Sequence, residues 1–157
     1  LGMYGELKNA RTAARAITVY RAKKGIKTTM DLKEALRDVA PKGKENKYFA
    51  QVFQALRIEV NEEMKALEDF LHQCAEVTGV GGRRVSMSYH SLEDRMVKNF
   101  IATGKAFGEL EKDFYGNPLR PFKAVNRKPI EAGEDEVKEN NRARSARLRV
   151  AERIDEA

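Results

Sequence analysis

The residues best suited to chemistry lie together between Ser88 and Arg95, in the order Ser-Tyr-His-Ser-Leu-Glu-Asp-Arg. A nucleophilic Ser–His pair would need a Gly-x-Ser-x-Gly elbow, which the sequence lacks. A structural zinc site needs more ligands than two histidines and the single cysteine, Cys74, provide, so we predict no metal. We expect these polar side chains to form hydrogen bonds with a polar ligand instead.

The residues on either side of this stretch predict how it is positioned. Val85-Ser86-Met87 reads as a short strand, and the apolar spacing from Met96 to Ile101 predicts a helix after the polar residues. Open α/β sheets place their chemistry at this carboxyl end of a strand. Ser88 and His90 are expected on the same side of the extended backbone, because alternate residues share a face.

A purely structural interpretation also accounts for part of the stretch. Ser91 and Asp94 have the spacing of a capping box, in which each side chain satisfies a backbone N–H group at the start of a helix. Such a cap stabilises the helix and performs no chemistry. It leaves Ser88 and His90 unexplained.

The composition limits the class of protein. The 157 residues fit one domain, or one domain with an appendage, and 30 basic against 24 acidic residues give a net charge of +6. That charge favours a polyanionic partner, although it also fits a solvated surface. Because Cys74 is the only cysteine, we expect a reduced core thiol and a cytoplasmic location. No apolar run is long enough to span a membrane.

The first half of the chain has helical periodicity. A helix is predicted from Glu6 to about Lys24, and a second begins at a capping box formed by Thr28 and Asp31. The longest periodic segment, residues 49–74, is either one helix or two that divide at 61–63. The apolar stripe of the first helix comprises Leu7, Ala10, Ala14 and Ile17. Lys8, Arg11 and Arg15 form a neighbouring basic face, which is either solvated or bound to phosphates.

The second half mixes strands and helices. Residues 79–82 form a Gly-rich turn, which follows a helix and precedes a strand, the reverse of the order in a phosphate-binding loop. Residues 104–121 are predicted to be a surface loop with a helical turn. Strands are predicted at 122–126 and 146–150, with a short acidic helix at 134–140, which gives about three strands in all. Four arginines form a cationic stripe on and before the last strand: Arg142, Arg144, Arg147 and Arg149.

These segments resemble the RsmH/MraW family. Residues 88–95 match its Ser-Phe-His-Ser-Leu-Glu-Asp-Arg signature with Tyr89 in place of Phe, and residues 54–61 match its Gln-Ala-Leu-Arg-Ile-x-Val-Asn helix. Residues 127–130 and 142–153 are similar to its Arg-Lys-Pro strand end and its Arg-rich closing strand. Asn141 stands where the family commonly has Pro. The resemblance covers nearly the whole chain, with four motifs in the family's order.

The resemblance implies an S-adenosylmethionine-dependent methyltransferase that modifies N4 of a cytidine in small-subunit ribosomal RNA. The implied fold is α/β: the C-terminal part of a class I, Rossmann-like methyltransferase sheet with an inserted helical subdomain. Residues 1–78 would be the helical subdomain with the long helix after it, and residues 79–157 the last strands and helices of the sheet. The family's cofactor-binding half, with a Gly-Gly-His loop, has no counterpart in this sequence. We therefore expect the chain alone not to bind S-adenosylmethionine and to be inactive.

The resemblance also implies roles for single residues. Ser88 and His90 would line the cytidine pocket, and Glu93 and Asp94 are weaker candidates. Small-subunit ribosomal RNA or the 30S subunit would be the partner, and the implied phosphate contacts are Lys8, Arg11, Arg15, Arg95, Arg142, Arg144, Arg147 and Arg149. A noncatalytic basic RNA-binding module is the alternative. Part of a sheet also exposes a strand edge, through which copies of the chain could associate.

Overall fold

The computed structural model describes residues 1–154, and the chain divides into two compact units, Leu1–Glu63 and Met64–Ala157. The first unit is helical, and the second combines helices with antiparallel strands. Within residues 1–154, every helix is too short or too polar to cross a bilayer.

Four helices build the first unit: α1 (Gly2–Gly5), α2 (Ala10–Lys23), α3 (Thr29–Leu36) and α4 (Glu45–Val60). Helix α1 packs so closely against α4 that a Cβ atom on Gly5 would lie 2.8 Å from the backbone oxygen of Gln51. Only glycine fits there. The buried core of this unit consists of Leu7, Ala13, Leu32, Leu36, Tyr48 and Val52.

The predicted first helix needs two corrections. Helix α2 begins at Ala10, so Lys8 lies in the preceding turn and not on the helix. Ala13 is the buried residue of α2, whereas Ala14 is exposed, because the inward face follows the three-residue spacing from Ala10. The predicted capping box of α3 is confirmed: Thr28 Oγ1 accepts the Asp31 N–H at 3.1 Å, and Asp31 Oδ2 accepts the Thr28 N–H at 2.9 Å.

The long periodic segment divides, as the second alternative predicted. Helix α4 ends at Val60 and α5 begins at Glu63, giving α5 the range Glu63–Val77. Glu62 has a φ of 49°, in the left-handed region that a continuing α-helix does not allow. Helix α4 begins at Glu45, four residues before the predicted periodic segment.

The second unit centres on one sheet. Strands β1 and β4 both pair with β6 in antiparallel register, on opposite sides of it, and β5 pairs with β6 as well. The closing strand, β6, therefore runs antiparallel to all three of its partners. After α5 the elements are β1 (Arg83–Ser88), α6 (Ser91–Thr103), β2 (Glu111–Lys112), β3 (Pro118–Leu119), β4 (Phe122–Ala124), β5 (Ile130–Glu131), α7 (Glu134–Glu139), a 3₁₀ helix (Asn141–Ser145) and β6 (Arg147–Arg153).

The two faces of this sheet differ in burial. Helix α6 lies against β1, β4 and β6, and Phe100 of the helix and Phe122 of β4 are fully buried. On β1 the residues alternate, so Arg84 and Ser88 are buried while Val85 and Met87 are exposed. The exposed face therefore retains apolar side chains.

The prediction of about three strands was too low. Residues 104–121, expected to contain a helical turn, instead hold a hairpin in which β2 pairs with β3. The Asp113 carboxylate and Gly116, whose φ is 85°, build a tight turn there, and this turn favours paired strands over a helix. Strand β5 is only two residues long and was also missed.

Candidate functional site

Ser88 lies at the carboxyl end of β1, directly opposite Arg147 of β6. Its side chain is on the buried face of the sheet, and the residue is only 4% exposed. The hydroxyl donates a long hydrogen bond, 3.4 Å, to the Arg147 carbonyl. Ser88 therefore joins the end of one strand to the beginning of another.

His90 is the residue that caps helix α6. Its Nδ1 accepts the backbone N–H of Glu93 at 3.3 Å, and Glu93 Oε2 accepts the backbone N–H of Tyr89 at 3.0 Å. The predicted capping box of Ser91 and Asp94 is wrong by one residue, since Ser91 is already the first helical residue. The pair His90 and Glu93 has the same three-residue spacing, and a histidine nitrogen replaces the usual hydroxyl.

Glu93 is held in its ionised form by these contacts. The largest influence lowering the pKa of Glu93 is its polar interaction with the His90 side chain, whose Nε2 lies 3.3 Å from Oε1. The Tyr89 N–H lowers this pKa further, and partial burial acts in the opposite direction. At neutral pH the site therefore presents a carboxylate, partly open to solvent, at the N-terminus of α6.

Asp94 points into the protein and forms an ion pair with Arg149. Arg149 Nε lies 2.7 Å from Asp94 Oδ1, and Nη2 lies 3.1 Å from Oδ2, so the guanidinium binds both carboxylate oxygens. Both side chains are nearly buried. Arg149 thus does not fit the predicted role of a phosphate contact, because its charged end is inside and already paired. Arg147 is farther away, with Nη1 at 3.8 Å from the same carboxylate.

A groove of about 470 Å³ lies on the opposite face of the sheet, beside the same strand end. Met87 and Tyr89 line it, whereas Ser88 and His90 do not. Ser88 and His90 were predicted to share one side of the backbone, and that side does not face the groove. The same alternation predicts that Met87 and Tyr89 share the opposite face of the strand. The sequence therefore contained a signal for these two groove residues. The remaining lining residues are Ile130, Glu131, Ala132, Glu136, Asn140, Arg142, Ala143, Ala146 and Leu148.

The other predicted basic residues lie at the surface of their own units. Arg142 and Arg144 are exposed on the 3₁₀ helix, and Arg142 borders the groove. Arg147 is half-exposed and has a second acidic neighbour, since its Nη2 lies 3.8 Å from Glu131 Oε1. Arg95 is exposed on α6. In the first unit, the exposed basic residues are Lys8, Arg11 and Arg15.

Comparison with known proteins agrees with this arrangement of motifs. Residues 1–154 match the model of the MraW methylase family. Ribosomal RNA small subunit methyltransferase H of Cytophaga hutchinsonii is 59% identical over 153 residues, which cover 98% of this chain and 51% of the relative. The protein of the same name from Flavobacterium johnsoniae is 53% identical over 151 residues, covering 96% of this chain and 50% of the relative.

This chain therefore spans about half the length of those curated relatives. The family match, in contrast, extends over nearly all of its residues. The chain belongs to the MraW methylase family.

Proposed function

We propose that this chain is part of a cytoplasmic S-adenosylmethionine-dependent methyltransferase that methylates N4 of a cytidine in small-subunit ribosomal RNA. The observation that carries the proposal is the family match over residues 1–154, with relatives named as ribosomal RNA small subunit methyltransferases. Those names favour an enzyme part over a noncatalytic RNA-binding module. In this proposal residues 1–78 form the helical subdomain with the long helix after it, and residues 79–157 form the last strands and helices of the methyltransferase domain.

The described residues do not fit a complete site for S-adenosylmethionine. At the junction from β1 to α6, the Glu93 N–H is bound by His90, and the Glu93 carboxylate accepts a hydrogen bond from the Tyr89 backbone. The Gly-rich turn of residues 79–82 precedes a strand, so it cannot direct helix N–H groups at a ligand. We therefore assign cofactor binding to the part of the relatives' length that this chain does not match.

Glu93 and His90 are our candidates for contacting the target base. The lone pair of the cytosine amino group is delocalised into the ring, so an acceptor for one of its N–H groups would make the nitrogen a better nucleophile. An ionised carboxylate is such an acceptor, and it can accept more hydrogen bonds than Glu93 now receives. His90 fixes the position of that carboxylate. The base must be unstacked from the RNA to reach it.

Ser88 and Asp94 are assigned positioning roles. Ser88 connects the ends of β1 and β6 through the Arg147 carbonyl, and Asp94 anchors the first turn of α6 to β6 through Arg149. These contacts would hold Glu93 in place without touching the base. The proposed phosphate contacts exclude Arg149 and are Arg142, Arg144, Arg147 and Arg95 in the second unit and Lys8, Arg11 and Arg15 in the first.

The unpaired edge of β1 is proposed as a contact with the rest of the methyltransferase. Among the described residues β1 pairs only with β6, so its other edge is open, and Val85 and Met87 of this edge strand are exposed on the sheet face. An open edge with apolar side chains favours addition of a further strand. We propose that the remaining length of the methyltransferase covers this edge, and that the chain alone can associate there with a copy of itself.

A chimera tests the proposed activity. This chain would replace the matching segment of the Cytophaga hutchinsonii relative, and transfer of labelled methyl groups from S-adenosylmethionine to small-subunit ribosomal RNA would be measured. The proposal predicts methylated RNA. A folded chimera that binds the cofactor but transfers no methyl group would contradict it, with the unmodified relative as the control.

Calorimetry tests the assignment of the cofactor site. The chain alone, titrated with S-adenosylmethionine, should show no binding at micromolar concentrations, whereas the chimera should bind. Micromolar binding by the chain alone would overturn the assignment and leave the proposed reaction in place.

A further inference from the structure

Two aromatic rings are exposed to solvent at the tip of the β2–β3 hairpin. Phe114 is 97% exposed and Tyr115 is 86% exposed. Their ring centroids are 5.5 Å apart with planes at 88°, so the rings contact edge to face. Most large aromatic side chains bury part of their surface, and two adjacent exposed ones indicate an interaction surface.

The tip is held rigidly by Asp113. Its Oδ1 accepts the backbone N–H groups of Tyr115 and Asn117, both at 2.8 Å, and its Oδ2 accepts the Asn117 side-chain amide at 2.9 Å. Hydrogen bonds from the Asn117 side chain and backbone lower the pKa of Asp113 most. Gly116 supplies the left-handed residue that the turn requires. Because the turn is preorganised, little conformational freedom is lost when a ligand binds the rings.

The charged groups around the tip include one cation that can meet a phosphate. The Asp113 carboxylate is occupied within the turn, and Glu111 is paired with Lys105. Lys112, on the strand that enters the turn, is exposed and has no acidic partner among residues 1–154. Lys112 is therefore a cation of the hairpin that is free to meet a phosphate, beside the Asp113 carboxylate that the turn holds.

The shape of the tip fits a nucleobase better than a protein surface. A stable protein interface buries hundreds of square ångströms on each side, around an apolar centre. The two rings are instead flanked by polar or small residues: Lys112, Asp113, Gly116 and Asn117. A single flat ligand can stack on one ring while Lys112 meets a phosphate, the arrangement that proteins use for unpaired RNA bases.

We propose that Phe114 and Tyr115 form a stacking platform for an unpaired base of single-stranded RNA. This inference rests on the proposed function only in taking RNA as the partner. The platform would hold RNA by stacking, a contact different from the phosphate contacts of the arginines.

The test compares binding of the 157-residue chain and its variants to single-stranded RNA of about 12 nucleotides and to duplex RNA of the same length. The double variant Phe114→Ala/Tyr115→Ala should bind single-stranded RNA about 10- to 100-fold more weakly, with an unchanged salt dependence. Its affinity for the duplex, whose bases are already stacked, should not change. Phe114→Trp should keep the affinity, and Val77→Ala, another exposed apolar site, is the matched control.

Three results would overturn the platform. These are undetectable binding of single-stranded RNA by the unmodified chain, an unchanged affinity in the double variant, or an equal loss on both RNAs. If the two rings bind a protein and not RNA, the double variant would keep its affinity for single-stranded RNA, which is the second result. Methyl transfer by the chimera is measured separately, so a working methyltransferase with an inert tip would reject this inference alone. Because both rings are exposed, the melting temperature of the double variant should match that of the unmodified chain.

Discussion

Asp94 and Arg149 form a buried ion pair with two short contacts, 2.7 and 3.1 Å, between the first turn of α6 and the central strand β6. The pair fixes the helix whose N-terminus carries Glu93 and His90. Asp94 is therefore important for the geometry of the candidate site, although it faces away from solvent.

Removal of one partner of this ion pair should destabilise the fold. Asp94→Ala leaves the Arg149 guanidinium buried and unpaired, so the free energy of unfolding should fall by about 3–5 kcal/mol. Urea unfolding followed by circular dichroism measures the change. Asp135→Ala, at an exposed ion pair with Lys138, is the control and should change stability by less than about 1 kcal/mol. Equal effects of the two variants would show that the buried pair has no special role.

Replacement of Arg84 should stabilise the fold, the opposite of the effect expected for Asp94→Ala. Arg84 is 6% exposed, its three guanidinium nitrogens have no hydrogen-bond partner among residues 1–154, and burial lowers its pKa. The guanidinium carbon lies 5.2 Å from the Phe122 ring centroid and 5.9 Å from that of Phe100, so cation–π contacts recover only part of the desolvation cost. Arg84→Leu should therefore stabilise the fold by about 1–3 kcal/mol.

Thermal melting measures the effect of Arg84→Leu. Arg83→Leu is the matched control, because Arg83 is exposed on the same strand and paired with Glu152. The control should be neutral or slightly destabilising. A lower melting temperature for Arg84→Leu would mean that the buried guanidinium has a favourable partner in solution.

The stability that Glu93 contributes should depend on pH. Its pKa is lower in the folded chain than in the unfolded chain, so its contribution is complete above the unfolded value, about pH 4.3. The contribution is lost as the pH falls through the lower folded value. The difference in unfolding free energy between the unmodified chain and Glu93→Gln should therefore shrink from pH 7 towards pH 3. A difference that is constant over this range would contradict the role of the carboxylate charge.

Arg144 provides the cleanest test of phosphate contact, since it is exposed and has no acidic partner among the described residues. Arg144→Ala should weaken RNA binding equally for all sequences and reduce the slope of log affinity against log salt by about 0.7–1. Fluorescence anisotropy at several salt concentrations measures both quantities. Arg83→Ala is the control, and a slope that equals the control's would exclude Arg144 from the interface.

Local signals in the sequence predicted much of the fold. The Thr28–Asp31 capping box, the Gly-rich turn and the alternation of the closing strand are each set by neighbouring residues, and the structure contains all three. The sequence also showed that residues 61–63 could interrupt a helix. The four motifs that resemble the family are confirmed by the family match.

The features that the sequence did not predict depend on long-range contacts. Strand β5 exists only because β6 pairs with it, with Leu148 opposite Ile130, 18 residues earlier. Arg149 looked like part of an exposed cationic stripe, and its burial follows from a partner 55 positions away. The capping residue of α6 was missed for a different reason, because histidine is an uncommon N-cap and Ser91 is a common one.

The position of the transferred methyl group tests the central claim most directly. Small-subunit ribosomal RNA treated with the chimera would be digested to nucleosides and examined by mass spectrometry, beside RNA treated with its Glu93→Gln variant. We predict cytidine methylated on N4, with a rate reduced by about 10²–10⁴ in the variant, because the carboxylate that accepts the amino N–H is lost. Methylation of a ring carbon or a ribose hydroxyl, or an unchanged rate in a folded Glu93→Gln chimera, would contradict the account.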